Sequence, residues 1–304
     1  MPFSVSPMFP GDLYDSMDRM GSAQEAAWAQ NAASIGSAKW HQVLELGWQG
    51  VMVDECNGGV GATLVEFASI AEAAGRHAVI MPLTARCVVA PKLLAKSSNA
   101  TARAMLELVA TGQASACPAI ASAPHPALKA TPMSDGRFQL SGTIRGADLT
   151  EPASHLIVNT VSEGAGAPLL ALIPTDTLSQ DRRSYSGLDG RRTSDILMDG
   201  LVVECEHVLL TGPAVKAAVD DAMATGAVLA CVQTVGALGA MIEQTIEYLS
   251  TRTQFGVALS TFQALRHRVV EMYVAYESAR GLVKQVTEEL SLGQVTDLFR
   301  DRDA

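Results

Sequence analysis

Residues 213–251 read PAVKAAVDDAMATGAVLACVQTVGALGAMIEQTIEYLST, and residues 252–263 continue RTQFGVALSTFQ. Pro213 suits the first turn of a helix, where a missing N–H costs nothing, so the spacing predicts one long helix over 214–251. Between Ala222 and Ile242 no residue is charged, and that length could span a bilayer. Ala, Gly, Thr and Gln fill much of it, however, and they contribute little to insertion. The stretch therefore reads as a buried core helix, with no membrane span. A loop over 252–259 leads into a second long helix near 262–290. Two antiparallel helices, each nearly apolar along one side, cannot bury those sides on each other alone. They require further helices from this chain or from a partner. The chain stops at Phe299-Arg300-Asp301-Arg302-Asp303-Ala304, so the C-terminal bundle is expected to be incomplete.

The character differs on the N-terminal side of this helix. Over 113–212, short Val/Ile/Leu segments alternate with Pro, Gly, Ser, Asn and Asp. Phe138 and Leu140 follow the turn Ser134-Asp135-Gly136, and further strands are expected at 155–161, 169–173, 195–198 and 201–203. Many short strands with turn signals suggest an antiparallel sandwich or barrel. Long helices do not alternate with them, and no GxGxxG or Walker pattern sits between a strand and a helix, which excludes a doubly wound nucleotide fold. Residues 1–112 read as helix, loop, helix. Helices are expected at 22–33, 64–74 and 101–110, with Gly75 and Gly112 as stops and Asn57-Gly58-Gly59-Val60-Gly61 as a turn. The fold class is thus α+β, with three domains: helical 1–112, a middle β-barrel at 113–212, and a partial helical domain at 213–304.

Composition narrows the function. Of 304 residues, 22 are Lys or Arg and 32 are Asp or Glu, giving a formal charge of −10 and a pI near 5.1. Without a basic run this is no nucleic-acid binder. Hydrophobic residues make up 48% and aromatics only 5%, so the cores are built from Ala, Val, Leu and Met. The five cysteines lie far apart, and the six histidines show no ligand spacing, so neither a disulfide framework nor a metal site is expected. The N-terminus lacks the basic and apolar regions of a signal peptide. A reducing, cytoplasmic location fits.

The segment Arg252-Thr253-Gln254-Phe255-Gly256-Val257-Ala258-Leu259-Ser260-Thr261-Phe262-Gln263 resembles the RxQFG…L…FQ word of the acyl-CoA dehydrogenase family. Leu46-Gly47-Trp48 through Glu55 and Gly58-Gly59-Val60-Gly61 are similar to that family's N-terminal segment, with Asp54 where Pro is usual. Tyr185-Ser186-Gly187-Leu188-Asp189-Gly190-Arg191-Arg192 is a third match. Gly75-Arg76-His77 and Ser141-Gly142-Thr143 resemble short chains and small subunits of paired enzymes, such as those acting on pimeloyl or steroid side-chain thioesters.

The resemblance implies FAD as cofactor and α,β-desaturation of an acyl-CoA thioester. It further implies a homo- or hetero-oligomer and an electron-transfer flavoprotein or similar acceptor. In the family the RxQFG segment is presented to the FAD of a neighbouring subunit. Arg252 then gives the pyrophosphate charge-assisted hydrogen bonds, Phe255 an apolar face, and Gln263 amide donors and an acceptor. The alternative is that Arg252 merely ends a helix, its cation facing the negative end of the dipole, with Phe255 in the core.

Departures from the family accompany these matches. Its TEPxAGSD-like segment corresponds to Ala114-Ser115-Ala116-Cys117-Pro118-Ala119, and its Trp-Ile-Thr flavin wall to Gly146-Ala147-Asp148. Cys117 is read as a small buried residue. Proton abstraction next to a thioester needs a carboxylate with a raised pKa. The family's early position for it falls on Gly226 and its late position beyond Ala304, so no catalytic base is assigned. Asp220 and Asp221 read as helix N-terminal acids, and Glu243 and Glu247 as water-facing. Two functions follow from this: a dehydrogenase, or a non-catalytic subunit completing another chain's FAD site.

Overall fold

The computed structural model describes residues 3–28, 35–120, 128–149, 152–160, 168–178, 182–188 and 191–294; of 23–28 and 35–39 it describes only the backbone. The expected helix at 22–33 lies partly outside these residues. Asp189 and Gly190 of the third motif lie wholly outside them. The helices are α1 (Asp12–Trp28), α2 (Ile35–Glu45), α3 (Leu64–Arg76), α4 (Ala90–Ala95), α5 (Ala100–Ala110), α6 (Pro213–Thr251) and α7 (Gln263–Ser291). A π-turn over Ala85–Val89 leads into α4. The strands are β1 (Ala116–Ala119), β2 (Lys129–Pro132), β3 (Phe138–Asp148), β4 (His155–Asn159), β5 (Leu169–Pro174), β6 (Arg182–Ser186), β7 (Arg192–Val203), β8 (Val208–Thr211), β9 (Thr253–Gln254) and β10 (Val257–Ala258).

The chain forms two compact units, one comprising 1–30, 63–79 and 227–296 and the other 31–62, 80–226 and 297–304. The second unit holds the middle β region. Its strands form two four-stranded sheets, ordered β1-β4-β5-β8 and β2-β3-β7-β6. Leu140, Ile144 and Ile196 from one sheet share a core with Cys117, Leu156 and Ala171 from the other, and the isolated bridge Leu128–Thr160 links segments at their margins. On its opposite face the first sheet packs Ile157, Leu170 and Leu172 against Leu93, Leu106 and Val215 of α4, α5 and α6. Burial on both faces explains why 169–173 is an unbroken apolar run. By contrast β3 alternates buried and exposed residues, as a strand with one wet face does.

Two strand expectations change. The pairing is not wholly antiparallel, because β1 runs parallel to β4. The expected strands at 195–198 and 201–203 are one strand, β7, interrupted by a bulge. Leu140 pairs with Leu201 and Ser141 with Asp199, leaving Gly200 unpaired at φ +69°, a geometry that glycine adopts without steric cost.

In the first unit, α3 begins with a reciprocal cap: Thr63 accepts from the Glu66 N–H, and Glu66 accepts from the Thr63 N–H at 2.7 Å. The helix does not stop at Gly75; it continues to Arg76. Gly75 is there because a Cβ would fall on the backbone carbonyl of Gln233 in α6, and at Gly236 a Cβ would fall on that of Glu72. Small residues thus let α3 and α6 touch backbone to backbone. By length and apolarity α6 could cross a membrane, yet Val228, Leu229, Val232, Val235 and Ile242 are buried within the protein. In α7, Tyr276 and Thr287 are the buried residues, while Val270, Val274 and Leu282 are exposed.

Candidate functional site

The link between α6 and α7 is a folded hairpin. α6 ends where the Arg252 N–H donates to the Tyr248 carbonyl. β9 and β10 then pair antiparallel, Gln254 opposite Val257 and Thr253 opposite Ala258. Phe255 and Gly256 make the turn with φ of +53° and +80°, the two positive values that a tight hairpin of right-handed twist requires. Gly256 adopts this freely, whereas Phe255 does so at a cost. The Leu259 N–H closes the hairpin onto the Arg252 carbonyl at 2.9 Å, and Arg266 Nε donates to the Ser260 carbonyl at 2.6 Å.

This geometry corrects one sequence alternative. Phe255 is not core: it is 92% exposed, in a T-shaped pair with Phe262 with ring centroids 6.2 Å apart. Arg252 and Gln263 are exposed as well. One short element thus displays a guanidinium, an aromatic face and a primary amide. That set suits a partner carrying phosphate and an aromatic ring.

The middle segments are organised by a residue that sequence reasoning missed. Arg86, fully buried, donates through Nη1 to the Pro152 carbonyl at 2.7 Å and through Nη2 to the Asp148 carbonyl at 3.3 Å. It also reaches Ser115 Oγ at 3.4 Å and lies 5.4 Å from the Trp40 ring centre. Its signal in the sequence is a cation set inside the mostly apolar run 83–91. Cys117 is buried and donates to the Asp148 carbonyl at 3.1 Å. Burial pushes its thiol up to about 11, which removes nucleophilic character at neutral pH. Gly146 occupies a bulge of β3, its N–H donating to Asp195 Oδ1 at 2.9 Å.

At Gly226 a side chain would meet Val89 Cγ2 at 3.1 Å and Thr84 Cγ2 at 3.9 Å. The acids upstream are engaged rather than simply placed at a helix start. Asp221 pairs with Lys92 at 2.9 Å and Lys96 at 2.8 Å, and Asp220 with Lys216 at 2.7 Å. Burial pushes the Asp221 carboxyl up, but hydrogen bonds from Lys96 and Lys92 outweigh it and leave the group below the ordinary range.

Glu243 does not face water, although Glu247 does. Glu243 takes Arg76 Nη2 at 2.5 Å, and its other oxygen accepts from the Val5 N–H. Nearby Glu72 is buried and accepts from the N–H groups of Met8 and Phe9 at 2.7 and 3.0 Å. Burial raises its pKa, and those two N–H groups partly oppose the rise. His77 ends α3 and its Nε2 lies 2.8 Å from Asp18 Oδ1. Among the described residues no three His, Cys, Asp or Glu side chains lie close enough to hold a metal.

A helical N-terminal region, paired β-sheets and a long C-terminal helix pair joined by an exposed RxQFG hairpin define an acyl-CoA dehydrogenase fold. Two family profiles match, "Acyl-CoA dehydrogenase, N-terminal domain" over residues 14–113 and "Acyl-CoA dehydrogenase, C-terminal domain" over 217–301. The chain belongs to the acyl-CoA dehydrogenase family. It is 26% identical over 291 residues to acyl-CoA dehydrogenase FadE28 of Mycobacterium tuberculosis, covering 91% of this chain and 80% of that one. To acyl-CoA dehydrogenase IpdE2 of the same organism it is 25% identical over 245 residues, 80% of this chain and 63% of that protein's length. The fold also matches the crystal structure of the ChsE4-ChsE5 complex of M. tuberculosis, with TM-score 0.76, 14% identity, and 94% and 80% coverage.

Proposed function

We propose that this chain is a subunit of a flavin-dependent assembly that desaturates a CoA thioester between Cα and Cβ. In that assembly Arg252, Phe255 and Gln263 complete the FAD site of another chain. The observation that carries the reading is the hairpin, which extends its three side chains into solvent instead of toward a pocket of its own unit. The likeness of its fold to a chain of the ChsE4-ChsE5 complex supports it.

The residues present fit FAD at the hairpin. There Arg252 would hold the pyrophosphate with its planar fork, Phe255 would cover an apolar edge, and Gln263 would hydrogen-bond the nucleotide. The middle segment does not offer the family's flavin wall. An exposed glycine stands at 146 and an acidic residue at 148, and a negative charge there opposes an anionic flavin. When bound, FAD supplies the acceptor for the hydride from the β-carbon, and an electron-transfer flavoprotein or similar acceptor reoxidises it. Position 226 offers the α-proton no carboxylate, and the proposal places the base on the partner chain.

Flavin absorbance and thioester desaturation with an artificial acceptor test this, using the chain alone and co-expressed with the chain encoded beside it. The chain alone is expected to be colourless and inactive over a range of CoA thioesters, and the co-expressed pair yellow and active. Robust turnover by the chain alone, as a homo-oligomer, overturns the partner role.

A further inference from the structure

Residues 3–9 have no regular secondary structure, yet they bind side chains from three helices of their own unit. The Phe3 ring stands edge-on to Tyr273 of α7, centroids 5.9 Å apart and planes at 81°. The Val5 N–H donates to Glu243 Oε1 of α6. Arg280 of α7 donates from Nη2 to the carbonyls of Ser6 and Pro7 at 3.2 and 3.3 Å. The N–H groups of Met8 and Phe9 complete the series on Glu72 of α3. An irregular segment satisfies its backbone through such partners or through water, and here five main-chain groups in succession use two carboxylates and one guanidinium.

These bonds matter because α7 is exposed along much of its length. Of its 29 residues only Tyr276 and Thr287 are buried, and its first turn follows directly from the displayed hairpin. Tyr273 lies ten residues after Gln263, about 15 Å along a helix. A change in how α7 rests at 273–280 is therefore carried to 252–263 by a stiff rod.

We infer that residues 3–9 form a strap that fixes α7 against α3 and α6, and through α7 positions the hairpin bearing Arg252, Phe255 and Gln263. Arg280, Glu243 and Glu72 are its positioning residues. The strap itself rests on the geometry of one unit, whereas its consequence for flavin rests on the function proposed above.

Hydrogen exchange on the full chain tests the strap without flavin, because local opening exposes amides in proportion to its population. In Arg280→Ala, exchange over 263–291 and in the hairpin should quicken at least ten-fold, with the β3–β7 amides unchanged. Arg280→Lys should restore part of the protection. Phe3→Ala, a change at a partly exposed ring, should give the same pattern more weakly and guards against a misfolded Arg280 variant. Unchanged exchange over 263–291 in Arg280→Ala and Phe3→Ala overturns the strap. In the co-expressed assembly, Arg280→Ala should also weaken FAD several-fold although Arg252 is intact. Faster exchange with unaltered FAD affinity keeps the strap and removes the link to the hairpin's flavin role.

Discussion

Gly75 of α3 lies against the backbone carbonyl of Gln233 in α6 so closely that a Cβ at position 75 would occupy the carbonyl's space. Helix propensity alone favours alanine there by about 1 kcal/mol. Overpacking against an unyielding backbone costs about 1–3 kcal/mol or more, so packing wins. Gly75→Ala should lower the melting temperature despite its better propensity. Gly236→Ala, the reciprocal contact on Glu72, should do likewise. Because both report one crossing, the double variant should lose less than the sum of the single losses. Thermal or urea melts of the three variants check this.

Arg252→Ala should weaken FAD in the co-expressed assembly by roughly ten- to a hundred-fold. That corresponds to about 1.5–3 kcal/mol for a charge-assisted hydrogen bond. Since the side chain is exposed, melting of the chain should move little. Arg252→Lys should recover only part, because an ammonium lacks the planar fork. FAD titration with parallel melts separates a cofactor contact from a helix-terminal cation. Equal affinity in all three proteins would falsify the cofactor role.

Asp221 gives a pH prediction. Its folded-state pKa lies below the ordinary aspartate value because Lys96 and Lys92 outweigh burial. A depressed carboxylate contributes stability that is complete above the unfolded value and lost as pH falls through the folded one. Stability should therefore decline with acid below about pH 4, and Asp221→Asn should flatten that part of the curve. The group is partly exposed, so the loss at neutral pH should stay at or below about 1 kcal/mol. Denaturant melts between neutral and acid pH measure both.

The cysteines divide by burial. Cys56, Cys205 and Cys231 are exposed, whereas Cys87 and Cys117 are buried, and burial pushes both thiols up, Cys117 to about 11. Iodoacetamide at about pH 8 should label the first three in the native chain and all five after denaturation. Peptide mass spectrometry identifies the sites. Rapid native labelling of Cys117 would show that the β1 segment is open.

What the sequence determined by itself is local or repetitive. The apolar content of 213–251, Pro213 at its start and the turn residues of 134–136 follow from periodicity and backbone sterics, which neighbouring residues carry. The 252–263 word is local too, and it survives as one hairpin. Tertiary structure decided what each residue faces. Glu243 and Glu247 share a helix side in the sequence, yet Glu243 turns to Arg76 and Val5, 167 and 238 residues away. Gly75 looks like a helix stop until Gln233 arrives beside it. Arg86 reads as an isolated cation until the carbonyls of Asp148 and Pro152 surround it. Phe255, which the sequence left as either a cofactor face or a core residue, stands in solvent at the tip of a two-residue turn, its ring edge-on to Phe262. Charge pairing, close helix contact and display to another molecule are set by partners distant in the chain, and local periodicity carries no information about them.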